Sequence, residues 1–201
     1  MAICVLFPTA TEMGHFAHPG VETLISGVGL TATAYQTLKT IHSQQPEWLI
    51  LAGVAGVYPH AHFPLTDVRL VSSEVEGDLG FFTPEGFVHL AHLPLDMAFE
   101  RRHTLSCPWL ERVPAWPTAR SATVNAALAP FIDTQSVELE NMEGAAFFHV
   151  CLKEQQPFLE MRAISNVVEP GHDDWDIQAA VDQLHLQLHR LLDELLQGPH
   201  P

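Results

Sequence analysis

Two stretches of this chain, AICVLFP (2–8) and WLILAGVAG (48–56), are apolar without a break over the length of a β-strand. A strand that is apolar at every position has no wet face, so it belongs inside a sheet that is covered on both sides. Helical signals lie between and beyond these runs. VETLISGVG (21–29) alternates loosely and turns through Gly27 and Gly29 into a predicted helix over 30–43, which Pro46 closes. DVRLVSSEVE (67–76) reads as a further strand between Pro64 and the Gly77 turn. Residues 77–117, broken by Pro84, Pro94, Pro108, Pro114 and Pro117, give no clear pattern. A strand near ARSATVN (119–125), a short helix after it, SVEL (136–139), a helix over 142–154 and a strand at FLEMRAIS (158–165) follow. The last helix is the clearest, with Ile177, Val181, Leu184, Leu188, Leu191 and Leu195 at the helical period and Asp173 or Asp174 as its cap. Strands alternating with helices predict an α/β fold: three layers, α/β/α, around a mixed, largely parallel sheet.

At 201 residues the chain suits one domain, 1–201. Its 24 acidic residues against 9 Lys and Arg argue against nucleic acid and anionic membranes as partners, and no basic cluster exceeds the pair Arg101-Arg102. No apolar run is long enough to span a bilayer, and residues 2–8 read as a strand, not a signal peptide. Cys4, Cys107 and Cys151 are odd in number and far apart, which predicts reduced thiols and a cytoplasmic setting. Among the 13 histidines, His60/His62 and His185/His189 have pairwise spacing that suits a metal, but neither pair has a third ligand at sensible spacing. No metal and no cofactor are expected.

In α/β folds ligands sit beyond the carboxyl ends of strands, here just after residues 8, 54, 76 and 165. Unusual residues lie there. Taken singly, Glu12 in PTATEMG is a loop carboxylate of a kind that is ordinarily solvated, and Glu143 in ENMEGAA suits a helix start through the dipole. Arg162 lies inside an apolar strand, where a guanidinium needs a carboxylate partner; Glu12 and Glu143 are the candidates. The same strand ends on Ser165 and Asn166, a hydroxyl and a carboxamide, and an Asn there also suits a plain turn.

Together, ENMEGAAFFHVC followed by FLEMRAISN resembles the signature of the nucleoside phosphorylase/nucleosidase superfamily, and ATE, SGVG and AGVAG fall in the same order. The resemblance covers nearly the whole chain and is weakest over 79–117. It implies a small-molecule nucleoside substrate and a homodimer or higher homo-oligomer. It also implies roles: Glu12 as the base that activates water, Met142 and Glu143 at the ribose, and Arg162 ordering the water and carboxylates. Ser165 and Asn166 would face the purine, and the Ala55-Gly56 backbone would approach the nucleoside. Val54 stands where many relatives carry a serine, and GVAG replaces the Gly-Ser-Ala-Gly of methylthioadenosine/S-adenosylhomocysteine nucleosidases. Phe81, Phe82 and Phe87 are candidates for lining the pocket of the sugar's 5′ extension.

Asn166 narrows the expectation. A carboxamide accepts from N7–H and donates to O6 of a 6-oxopurine, whereas an acid suits adenine. Before Arg69 the only cation is Lys39, so a phosphate nucleophile lacks arginines, and the Gly27/Gly29 turn alone is a weak anion signal. Water is the expected nucleophile. A methylthioadenosine/S-adenosylhomocysteine-type nucleosidase, a purine nucleoside phosphorylase and an inactive nucleoside-binding module stay open as alternatives.

Overall fold

The computed structural model describes residues 2–93, 104–171 and 175–197. In chain order the elements are β1 (Ile3–Phe7), α1 (Ala10–Met13), β2 (Val21–Ile25), α2 (Leu30–Gln44), β3 (Trp48–Val57), β4 (Val68–Glu76) and the hairpin β5 (Gly80–Thr83) and β6 (Gly86–His89). Then come β7 (Leu105–Ser106), β8 (Thr118–Thr123), β9 (Leu139–Asn141), α3 (Gly144–Lys153), β10 (Phe158–Val167) and α4 (Ile177–Gln197). The uninterrupted apolar runs form β1 and β3, whose residues are buried almost throughout.

The fold is α/β, with helices packed on a mixed, mainly parallel sheet. β1 pairs in parallel with β2 and β3, and β3 pairs in parallel with β10. β10 then meets β4 antiparallel, β4 meets β8 and β8 meets β9 in parallel, and β9 returns antiparallel to β3. Five strands therefore close into a ring, β3–β10–β4–β8–β9. Helix α4 lays Leu184, Leu188, Leu191 and Leu192 into the main core, and Phe147 and Phe148 of α3 pack their rings on Phe158 of β10.

Several sequence expectations are corrected. Residues 125–136 form turns, not a short helix, because Leu128 adopts a left-handed backbone (φ 61°) that no α-helix contains. Helix α3 starts at Gly144 instead of Met142, because the Asn141 side-chain oxygen accepts the amides of Glu143 and Gly144 and ends β9 as a cap. Residues 173 and 174, the expected caps of α4, lie outside the described residues; the Asp176 carboxylate accepts the Ala179 amide at 3.1 Å. Pro94 and the Arg101-Arg102 pair also lie outside them.

Candidate active site

The carboxyl ends of β1, β3 and β10 converge, as the fold class requires. β4 does not join them: it runs antiparallel to β10, so it begins where β10 ends, and the segment after residue 76 is carried away from the site. A cavity of about 390 Å³ opens at the convergence. Glu12, Ala55, Gly56, Met142, Glu143, Ser165 and Asn166 all border it, and among the described residues no Lys or Arg does. Arg162 lies behind this wall, fully buried.

Glu12 is not the exposed loop residue its neighbours suggest; it is 6% exposed. Thr9 caps the one-turn helix α1, accepting the Glu12 amide at 3.1 Å and donating its hydroxyl to Glu12 Oε2 at 2.7 Å. The Val54 amide donates to Glu12 Oε1 at 3.0 Å, and His185 of α4 donates to the Glu12 carbonyl at 2.8 Å. Burial raises the Glu12 pKa above the ordinary carboxylate range, against the lowering pull of Thr9, Val54 and Arg162. That raised value suits a proton acceptor. The Val54 carbonyl accepts from Arg162 Nη1 at 3.1 Å, so this peptide segment links the Glu12 carboxylate and the guanidinium through its backbone. Gly53 makes the approach possible, since a Cβ there would lie 2.7 Å from Arg162 Nη1 and 2.9 Å from Glu12 Oε1.

Glu143 is the anchor of the opposite wall. Its Oε2 pairs with Arg162 Nη1 at 3.2 Å and its Oε1 accepts the Gly29 amide at 3.2 Å. Gly29 is the N-cap of α2, so the anion held at that helix start is the protein's own carboxylate. Of the two partners foreseen for Arg162, Glu143 forms the ion pair. A second, Glu160, lies 2.7 Å from Arg162 Nε, and Asn141 Oδ1 accepts from Nη2 at 3.2 Å. Burial alone would depress the Arg162 pKa, but Glu160 and Glu143 raise it instead.

Glu160 belongs to a group that the sequence reading missed. It is fully buried, as is Glu74 of β4, and both carboxyls crowd the same spot above Gly144. Glu74 accepts from Thr123 at 2.8 Å and from Asn141 at 2.6 Å. Burial and the charge of Glu160 push the Glu74 pKa well above the usual carboxylate range, while Arg162 offsets part of the burial effect on Glu160. Burial and mutual repulsion therefore favour one shared proton on the pair, with Arg162 beside Glu160 drawing the negative charge toward that side. The available clue was spacing: Glu160 and Arg162 are two apart in one strand, hence on one face.

A stability effect follows. Above the ordinary carboxylate pKa the unfolded Glu74 is ionised, while the folded one, whose pKa is raised, keeps its proton until pH climbs through that raised value. Folding therefore takes up a proton, and stability falls as pH rises across that window. This one group contributes a slope of up to about 1.4 kcal/mol per pH unit. Urea unfolding of wild type and Glu74→Gln across that range is expected to show a steeper slope in wild type, by the contribution of this group, over the slope that the other buried carboxylates give both proteins. Parallel profiles would mean that Glu74 is ionised in the fold.

Ser165 and Asn166 close the third side. The Asn166 Oδ1 accepts from the Ser165 hydroxyl at 2.9 Å, and its Nδ2 donates to the Val167 carbonyl at 3.3 Å. One acceptor site and one N–H of the carboxamide remain for a ligand. Flipping the amide would set its oxygen against the Val167 carbonyl, so the orientation is fixed.

Three of the four histidines of the candidate metal pairs, His60, His185 and His189, have other partners. His60 donates to the Val137 carbonyl and stacks on Tyr58, and His189 packs on Phe16. Phe82 and Phe87 do not line the cavity; they pack on Phe131 at 4.9 and 4.8 Å between ring centroids, and Phe81 is absent from the lining too. The open rim is made by Val28, Leu128, Trp175 and Ile177, each at least 38% exposed. These residues stand outside every strand, which is why strand logic did not find them.

Comparison with known proteins gives the family of the chain. The phosphorylase superfamily model matches residues 12–197. The chain is 33% identical over 190 residues to futalosine hydrolase of Thermus thermophilus, covering 87% of this chain and 82% of that protein. Among solved structures, a futalosine hydrolase mutant of Helicobacter pylori superposes with a TM-score of 0.75 at 16% identity, covering 96% of this chain and 99% of that one. The 5′-methylthioadenosine/S-adenosyl homocysteine nucleosidase of Campylobacter jejuni gives 0.70 at 14%, covering 97% and 98%. At those identities the superpositions establish the fold alone. With the sequence matches, they mean that this chain belongs to the phosphorylase superfamily and, within it, to the futalosine hydrolase family.

Proposed function

We propose that this chain is a nucleosidase that hydrolyses the N-ribosidic bond of futalosine, releasing hypoxanthine and dehypoxanthine futalosine in the futalosine route to menaquinone. The observation that carries the proposal is the carboxamide of Asn166, fixed in orientation by Ser165 and Val167 and bordering the same cavity as Glu12 and Glu143.

In this reading Glu12 takes a proton from water as the water oxygen bonds to the anomeric carbon. The bond to N9 breaks and its electron pair leaves with the purine. Glu143 holds the sugar hydroxyls, where its charge favours the oxocarbenium character of the transition state, and Met142 packs beside the ribose. Asn166 accepts N7–H and donates to O6 of the leaving base, whose N7 proton comes from solvent. Arg162 acts behind the cavity wall as a positioning residue, through Glu143 and the Val54 carbonyl. Ala55 and Gly56 let the nucleoside approach the backbone, and the apolar rim takes the aryl group on the sugar chain.

Water as nucleophile is supported by the charges. Among the described residues no Lys or Arg borders the cavity, Lys39 is exposed on α2, and Glu143 occupies the α2 helix start that a phosphate would need. A cytoplasmic, homo-oligomeric protein is part of the same reading, supported by the three free thiols and by the exposed Phe81 and Phe82 on the β5–β6 hairpin.

The test is product analysis with futalosine and its 6-amino analogue, with and without phosphate, on wild type and Asn166→Asp. Free hypoxanthine and a reducing sugar are expected, independent of phosphate, with preference for the 6-oxo substrate. A mismatched buried polar contact costs about 1–3 kcal/mol, so Asn166→Asp should shift that preference about ten- to a hundredfold toward the amino analogue. A sugar 1-phosphate, or a wild-type preference for the amino substrate, would overturn the reading.

A further inference from the structure

One carboxylate on the cavity has no part in the chemistry above. Glu140 borders the same cavity as Asn166 and is 7% exposed. The strand register places the two residues together. Glu140 of β9 is paired with Gly56 of β3, and Gly56 is paired on its other side with Asn166 of β10. Neighbours directly across a sheet share a face, so Glu140, Gly56 and Asn166 form a row on the cavity side. The alternate residues Ala55, Val57, Leu139 and Ile164 pack together on the other face. Gly56 puts no side chain between the two polar groups; a methyl of Val168 lies over it instead. Two strand spacings, about 9.5 Å, separate the outer residues of the row. That span accommodates a purine edge with a hydrogen bond at each end.

Glu140 is held as firmly as Asn166. The Tyr58 hydroxyl donates to its Oε2 at 2.8 Å, and the Leu128 amide donates to its Oε1 at 3.2 Å. Those bonds use two of the roughly four acceptor positions of a carboxylate. A carboxylate is an acceptor only, so its natural complement on a purine is an N–H. A 6-oxopurine presents N1–H beside O6, whereas adenine presents a bare N1 lone pair.

We infer that Glu140 is a second specificity residue of this site, accepting N1–H of a 6-oxopurine while Asn166 reads N7–H and O6. The inference rests on the nucleosidase reading above and adds to it. The two groups then match three consecutive polar positions of hypoxanthine, and Glu140 repels adenine because two acceptors would meet.

The experiment compares kcat/KM for futalosine, N1-methylfutalosine and the 6-amino analogue in wild type and Glu140→Gln. Wild type should lose about tenfold or more on N1-methylfutalosine, the scale of one hydrogen bond to a charged group. Glu140→Gln should lose a similar factor on futalosine and less on the other two substrates, which offer no N1–H. Equal losses on all three would show that Glu140 only anchors the Leu128 loop, and would overturn the inference while leaving the nucleosidase reading intact. Should the variant fail to fold, the wild-type comparison decides: equal cleavage of futalosine and its N1-methyl derivative overturns it. A wild type that cleaves no hypoxanthine nucleoside at all overturns the nucleosidase reading, and the inference with it.

Discussion

Glu12→Gln is expected to keep the fold and substrate affinity while lowering turnover by about 10²–10⁴-fold, the usual contribution of a positioned general base. Glutamine keeps the same two neighbours: its oxygen accepts the Val54 amide, and its nitrogen donates to the Thr9 hydroxyl, reversing the bond which that hydroxyl makes to the native carboxylate. Only the capacity to take up a proton is removed. The wild-type pH profile carries a related signature. The base works ionised, so activity rises as pH climbs through the Glu12 pKa, which burial sets above the ordinary carboxylate range. Single-turnover rates and equilibrium binding of substrate, measured on both proteins, separate the two effects. Near-normal turnover by the variant would move the base to another carboxylate.

Arg162→Leu is expected to be the most damaging substitution for stability, at about 3–5 kcal/mol in urea unfolding near pH 7, because it strands buried charge. The guanidinium is fully buried and contacts Glu160, Glu143, Asn141 and the Val54 carbonyl. Without it the Glu160 pKa rises further, and stability is lost as pH climbs through that raised value. The deficit should therefore shrink when unfolding is repeated near pH 5. A pH-independent deficit, or one below about 1 kcal/mol, would show that the guanidinium is not the charge partner of these carboxylates. Arg162→Lys does not restore the site, since an ammonium lacks the planar fork that reaches several partners at once.

What the sequence made legible divides along physical lines. Strands β1 and β3 were readable as unbroken apolar runs, α4 from its helical period, and α2 from the Gly27/Gly29 turn and Pro46 that bound it. Glu12, Glu143, Ser165 and Asn166 are ordinary taken singly and were legible as neighbours of one cavity only through the motifs around them. The ring closure was not, since it depends on the directions of β4 and β9, and a run of alternating residues carries no sign of direction. Helix α1 is a single turn and shows no period. The expected short helix after β8 was displaced by turns, with Asn125 held by Asp78 and Leu128 in a left-handed conformation. Glu74 and Glu160 were hidden because a strand reading treats an acid as a wet position, and here the ring buries it.

The closed ring also sets the order in which the molecule is made. β3 is complete at residue 57, but its partner β10 begins only at residue 158. At about 5–20 residues per second the ribosome needs roughly 5–20 s to deliver the missing strand. During that interval the most apolar strand of the chain has one edge unpaired, and Arg162, the counter-charge for the carboxylates, does not yet exist. Pairing across such sequence distances is intrinsically slow. Nascent chains of this protein therefore carry β3 with an open edge until β10 has emerged.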